Sequence, residues 1–140
     1  MRGAFGRAMT ACSLAALGIA LYLTWTKLAG ESPTCGPLHG CETVNSSAYS
    51  TILGVPTALF GSLQSGIVVM AALRWWRVAD RRALLLAYGL GLTSLPILAW
   101  LAYVEVAIIG AVCVWCVGYA VATVAAWLLA TRAVMRRSDR

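Results

Sequence analysis

The sequence predicts an all-α membrane protein, a bundle of four transmembrane helices with a short amphipathic cap helix on the outer side. Three observations carry this. Of the 140 residues 61% are apolar and only 11% charged, whereas soluble domains carry about 25% charged residues. Four apolar stretches are long enough to span, over about residues 8–26, 55–76, 84–103 and 113–131. All basic residues but Lys27 fall at the two termini and the connection between spans two and three. A helix of about 19 residues rises roughly 28 Å, close to the hydrocarbon thickness. The spans consume most of the chain, so it reads as a single membrane domain over residues 1–140.

The first stretch follows Arg2 and Arg7, as the apolar region of a signal peptide would. It runs on to Trp25 without a small-residue cleavage site, and Lys27 and Glu31 follow. It is therefore read as a retained helix. Orientation comes from charge. Arg2 and Arg7 precede span one, Arg74, Arg77, Arg81 and Arg82 join spans two and three, and Arg132, Arg136, Arg137 and Arg140 follow span four. Only Lys27 falls on the other side. The positive-inside rule then places both termini in the cytoplasm, with residues 27–54 and 104–112 outside, in the cytoplasmic (inner) membrane of the cell. The net charge of +6 is accounted for by anionic headgroups, with no nucleic acid as partner.

The outer loop, residues 27–54, opens with a segment that opposes regular structure, Pro33, Pro37, Gly30, Gly36 and Gly40 falling within Gly30–Cys41. Such a loop can move, and Cys35 and Cys41 are close enough to bridge if it turns back. Beyond it, Val44, Ala48, Ile52 and Val55 recur at helical spacing among polar residues. They predict the cap helix lying on the membrane surface. Gly54 and Pro56 mark its end and the start of span two, where proline is tolerated in a first turn. In span three Pro96 is expected to bend the helix.

Span four opens with Cys113-Val-Trp-Cys116. Cysteines three apart share a helix face, and a thiolate in the first turn is stabilised by unpaired N–H groups and the helix dipole. Cys116, one turn deeper, faces the lipid and Cys113 faces the loop. The charge rule puts both pairs outside, where disulfides persist. For Cys35 and Cys41 a structural disulfide competes with a shuttle pair; for the membrane-edge Cys-x-x-Cys a purely structural role is much harder to explain. Four-cysteine zinc binding is disfavoured because half the ligands would lie at the lipid edge. Cys12 reads as a packing residue. Glu105, the acid beside span four, reads either as a functional charge, such as one that delivers protons, or as a solvated interface residue. His39, between the loop cysteines, reads as a thiolate partner or as solvated. Trp100 and Trp115 read as pocket-lining or, by default, as packing residues.

Cys-x5-Cys, then Glu-Thr-Val-Asn-Ser-Ser-x-Tyr-Ser-x-x-x-Gly-Val-Pro, then two spans and a Cys-x-x-Cys, resembles the vitamin K epoxide reductase family, its bacterial members most of all. The resemblance implies a quinone (ubiquinone or menaquinone) in the bundle beside Cys116, the quinone-facing nucleophile. It implies that Cys113 exchanges with Cys41, and that Cys35 and Cys41 exchange with a thioredoxin-fold, DsbA-like partner. Ser47 matches a family serine near the loop cysteines; a local hydrogen bond to helix backbone is its other reading. Animal members hold the quinone with an asparagine and a tyrosine. Here the single asparagine is Asn45, in another segment, and Tyr119 lies three residues after Cys116, one short of the usual place. Gln64 in span two reaches either a quinone oxygen or a neighbouring helix. Many bacterial relatives carry a fused thioredoxin-like domain; this sequence stops after span four, so the partner is expected to be a separate protein. A DsbB-type enzyme, with its Cys-x-x-Cys in the first outer loop, and a non-enzymatic redox sensor or assembly factor are the competing readings.

Overall fold

The computed structural model describes residues 2–37 and 40–138, excepting the side chain of Ser138. His39 and Arg140, both weighed in the sequence, lie outside the described residues. Four helices are long and apolar enough to cross a membrane. They are α1 (Arg2–Leu28), α3 (Thr57–Val78), α4 (Arg81–Tyr103) and α5 (Val114–Ser138). Each overruns or shifts slightly from its expected apolar stretch, because helical geometry continues past the hydrocarbon region into the polar flanks. A π-helical turn, Val104–Ile109, extends α4 into what was expected to be an outer connection.

Contacts run α1 to α3, α3 to α4, α4 to α5 and α5 back to α1, so the four helices close a ring. Small side chains line its seams. Ala71, Ala72, Ala83, Ala87, Ala126, Ala130 and Ala133 cluster around Met9, Trp75 and Leu84. Helices in lipid have little hydrophobic drive toward each other, so close approach over small residues supplies the packing. Several hydroxyls within the spans are satisfied locally. Thr10, Ser13, Thr24, Ser62, Ser94 and Thr131 each donate to the carbonyl four residues back, which hides their polarity from lipid.

At the basic end, Asp80 caps α4 by accepting from the Arg82 N–H at 2.9 Å and pairs with Arg74 Nε at 2.6 Å. The Arg74 guanidinium holds the Asp80 carboxyl below its ordinary value, with the capping N–H groups of Arg82 and Ala83 assisting. On the same side Arg136 lies 5.0 Å over the Phe5 ring.

The cap departs from expectation. Its helix, α2, covers Gly40–Ser46, starting before Val44 and stopping well short of Val55. A 3-10 turn (Ala48–Ser50) and a small hairpin, β1 (Thr51–Ile52) with β2 (Val55–Pro56), replace the rest. The reason is in the side chains. Ser46 and Ser47 turn their hydroxyls onto the carbonyls of Thr43 and Val44, competing with the next helical N–H groups. Thr51, Ile52 and Val55 are β-branched and suit a strand, and Leu53 and Gly54 both adopt positive φ, 52° and 81°, as a two-residue hairpin turn of the primed type requires. Pro56 accordingly sits at the N-cap of α3, outside the helix. Lys27, the one basic residue on this side of the sequence pattern, donates to the Asn45 carbonyl at 2.5 Å and to Ser50 Oγ at 2.7 Å, tying the cap to the end of α1.

Candidate functional site: two cysteine pairs and a buried carboxylate

Cys35 and Cys41 are joined in a disulfide, with their Cα atoms 6.1 Å apart. Cys41 is the second residue of α2 and is wholly buried, while Cys35 is partly exposed in the loop. The start of α2 lies directly on the chain that leads into α5. A Cβ on Gly40 would stand 2.0 Å from the Val112 carbonyl oxygen. No side chain fits there, so only glycine lets the two backbones meet. Because Gly40 precedes Cys41 and Val112 precedes Cys113, this contact gathers the two buried cysteines into one region.

The other end of the loop is gripped through the peptide of Thr34. Its N–H donates to the Tyr22 hydroxyl at 3.1 Å, and its carbonyl accepts from Trp115 Nε1 at 2.9 Å. The Tyr22 and Trp115 rings touch, with centroids 4.9 Å apart, and Pro33 is buried. Trp115 lies between the two cysteines of the second pair, so one indole links both pairs. Sequence reasoning assigns it by default to packing and expects a mobile loop; an aromatic inside Cys-x-x-Cys is the available signal.

Cys113 stands one residue before α5, although the spacing suggests a place within it. Its sulfur accepts the Cys116 N–H at 3.3 Å, the interaction an N-cap side chain makes with the third helical N–H. Cys113 is 2% exposed and Cys116 is half-buried. A hydrogen bond with the Cys116 thiol, helped by the Cys116 and Trp115 N–H groups, lowers the Cys113 thiol from its usual value against the opposing effect of burial. The free thiols among the described residues are these two and Cys12.

Glu105 completes the site. It is 8% exposed and sits on the π-helical turn, a geometry common at functional positions. Its carboxylate Oε2 accepts the Cys113 N–H at 3.4 Å, and the Cys116 thiol lies beside it. Its main-chain carbonyl accepts from Gly110 and Ala111, closing the turn. The solvated interface reading of this residue is therefore replaced by a buried one.

The remaining sequence candidates make their hydrogen bonds to groups other than the sulfurs. Ser47 spends its hydroxyl on Val44 O at 2.7 Å, the local backbone bond. Gln64 donates to Ser94 Oγ and, at 3.3 Å, to the Leu90 carbonyl, joining α3 to α4. A cavity of about 20 Å³ beside it, lined by Ser13, Ser65, Thr123 and Trp127 among others, has room for about one water. Tyr119, one turn below Cys116, meets Gly61 O and Ser65 Oγ, both at 3.4 Å.

The sequence model of the vitamin K epoxide reductase family matches residues 7–131. The chain belongs to that family. Vitamin K epoxide reductase family membership, with four apolar helices, makes it a multi-pass membrane protein with thiol oxidoreductase chemistry, in a family that generally uses quinones. No curated protein matches the chain.

Proposed function

We propose that this protein is a thiol:quinone oxidoreductase supporting disulfide-bond formation. Electrons enter at Cys35–Cys41, pass to Cys113–Cys116 and leave to a quinone, ubiquinone or menaquinone. The observation that carries the reading is the seating of α2 on the chain before α5 through Gly40 and Val112, with Cys41 and Cys113 both buried next to that contact. The less buried member, Cys35, is the one available to an incoming thiol. A separate thioredoxin-fold protein that has oxidised its substrates fits this entrance, and the charge pattern favours an extracytoplasmic position for both pairs in the cytoplasmic membrane.

Each transfer between thiol pairs is thiol–disulfide exchange. A partner thiolate attacks Cys35, and the released Cys41 thiolate attacks the Cys113–Cys116 bond at Cys113, leaving Cys116 reduced. The partner's second thiol then displaces Cys35 from the mixed disulfide, and the partner leaves oxidised. The freed Cys35 thiolate attacks Cys41 in the Cys41–Cys113 bond, which restores Cys35–Cys41 and releases Cys113. The net change is one dithiol oxidised and one disulfide reduced.

The residues around Cys116 fit a quinone by their chemistry. Cys116 is less buried than Cys113. The Tyr119 hydroxyl makes only long contacts of 3.4 Å, which are weak, so a carbonyl oxygen is a better acceptor for it. A bound quinone supplies a two-electron, two-proton acceptor. Tyr119 orients its oxygen, and Cys113 closes the disulfide with Cys116. Gln64, already committed to α4, holds the helices that wall the site.

The test uses the purified protein, a reduced thioredoxin-fold donor and a short-chain ubiquinone or menaquinone. Thiol-dependent quinone reduction is expected, Cys116→Ser abolishes it, and Cys35→Ser abolishes partner-driven turnover while Cys41 still exchanges with Cys113. Normal turnover by Cys116→Ser refutes the assigned roles.

A further inference from the structure

We propose that Glu105 is a catalytic residue: the carboxylate that takes the proton from the Cys116 thiol when that sulfur gives up its electrons. The inference rests on the route just given, in which Cys113 and Cys116 are the pair that reduces the quinone. Three features place Glu105 there. The π-helical turn Val104–Ile109 brings Glu105 to Cys113, the residue just before α5. The carboxylate is buried, at 8% exposure. It accepts the Cys113 backbone N–H at 3.4 Å and stands beside the Cys116 thiol. Those two cysteines are the titratable groups that face it, and no basic side chain among the described residues is paired with it.

The chemistry requires such a group. Closing the Cys113–Cys116 bond breaks two S–H bonds, forms one S–S bond and releases two electrons and two protons. The electrons go to the quinone, whose two oxygens finally take both protons. At the membrane edge a thiol proton has little water to receive it, and an ionisable residue held there without a cationic partner calls for a functional account. Glu105 accepts the Cys116 proton, passes it on to the substrate undergoing reduction and returns to the carboxylate. A structural role, holding the Cys113 N–H alone, needs only an oxygen acceptor.

Glu105→Gln separates the two, since the amide keeps an acceptor oxygen for Cys113 but takes no proton. With the thiol donor and quinone of the preceding test, kcat is expected to fall roughly 100-fold, the lower range for loss of a general acid–base group, with partial recovery in Glu105→Asp. A second readout is independent of quinone. In fully reduced protein, iodoacetamide alkylation at Cys116 is followed against pH by peptide mass. In the wild type the rate levels off once Glu105 ionises, because thiol and carboxylate then share one proton. In Glu105→Gln it climbs about tenfold per pH unit up to the thiol's own ionisation. Parallel profiles in the two proteins, or wild-type kcat in Glu105→Gln, overturn the proposal. If the wild type reduces no quinone, the proposed function fails, and the alkylation profiles still decide whether Glu105 and Cys116 share a proton.

Discussion

Single atoms decide most of the chemistry at this site. The Cys113 sulfur is buried yet accepts the Cys116 N–H, and the neighbouring Cys116 side chain holds its ionisation below the usual thiol value. Asp80 offers a cleaner test of charge. Its folded-state pKa is depressed by Arg74, so its ion pair stabilises the protein above the unfolded value of about 3.9 and ceases to as pH falls through the lower folded value. Asp80→Asn keeps a capping oxygen but loses the charge. It should lower the melting temperature of detergent-solubilised protein at neutral pH, and the difference should vanish in strong acid. At this scale the sequence was uneven. Cysteine spacing pointed to both pairs, and one acid next to a span pointed to Glu105, but which side chain touches which depends on the π-helical turn, for which no residue pattern in 104–109 is a signal.

Among the elements, the cap and the loop are held at two points, Gly40 on Val112 and Thr34 between Tyr22 and Trp115. Gly40→Ala places a methyl group where a carbonyl oxygen stands, and overpacking of this kind costs about 1–3 kcal/mol. It should slow Cys41–Cys113 bond formation in a Cys35→Ser, Cys116→Ser background oxidised with diamide, as read by non-reducing peptide mapping. Trp115→Phe keeps the ring against Tyr22 but loses the donor, worth about 1 kcal/mol, and should slow the same trapping less. The four long helices were legible because lipid demands continuous apolar residues of a set length. The cap was only half legible. Val44, Ala48, Ile52 and Val55 satisfy a helical period, but the serine hydroxyls and the Leu53–Gly54 turn outweigh it, and a period alone carries no information on that competition.

For the whole molecule, a ring of four helices with alanine seams makes the bundle dependent on a few polar ties. The Gln64 link to α4 is one. Gln64→Leu should lower resistance to unfolding in mixed micelles by about 0.6 kcal/mol, the average for interhelical hydrogen bonds in membranes. The charge asymmetry predicts the direction of insertion. After mild reduction of intact cells, an impermeant maleimide should label Cys35, and labelling only after lysis contradicts that orientation. Ring order itself was beyond the sequence, since each span is apolar around most of its circumference and gives little hint of which neighbour it faces.

Because the Cys113 sulfur also receives the amide of residue 116, electron occupancy is written into the main chain. A thiolate binds that hydrogen more strongly than a disulfide sulfur does, so the same peptide proton should exchange with deuterium slowly in the reduced protein and faster in the oxidised one. A single backbone resonance can then act as a gauge of the catalytic cycle, with no dye and no added acceptor.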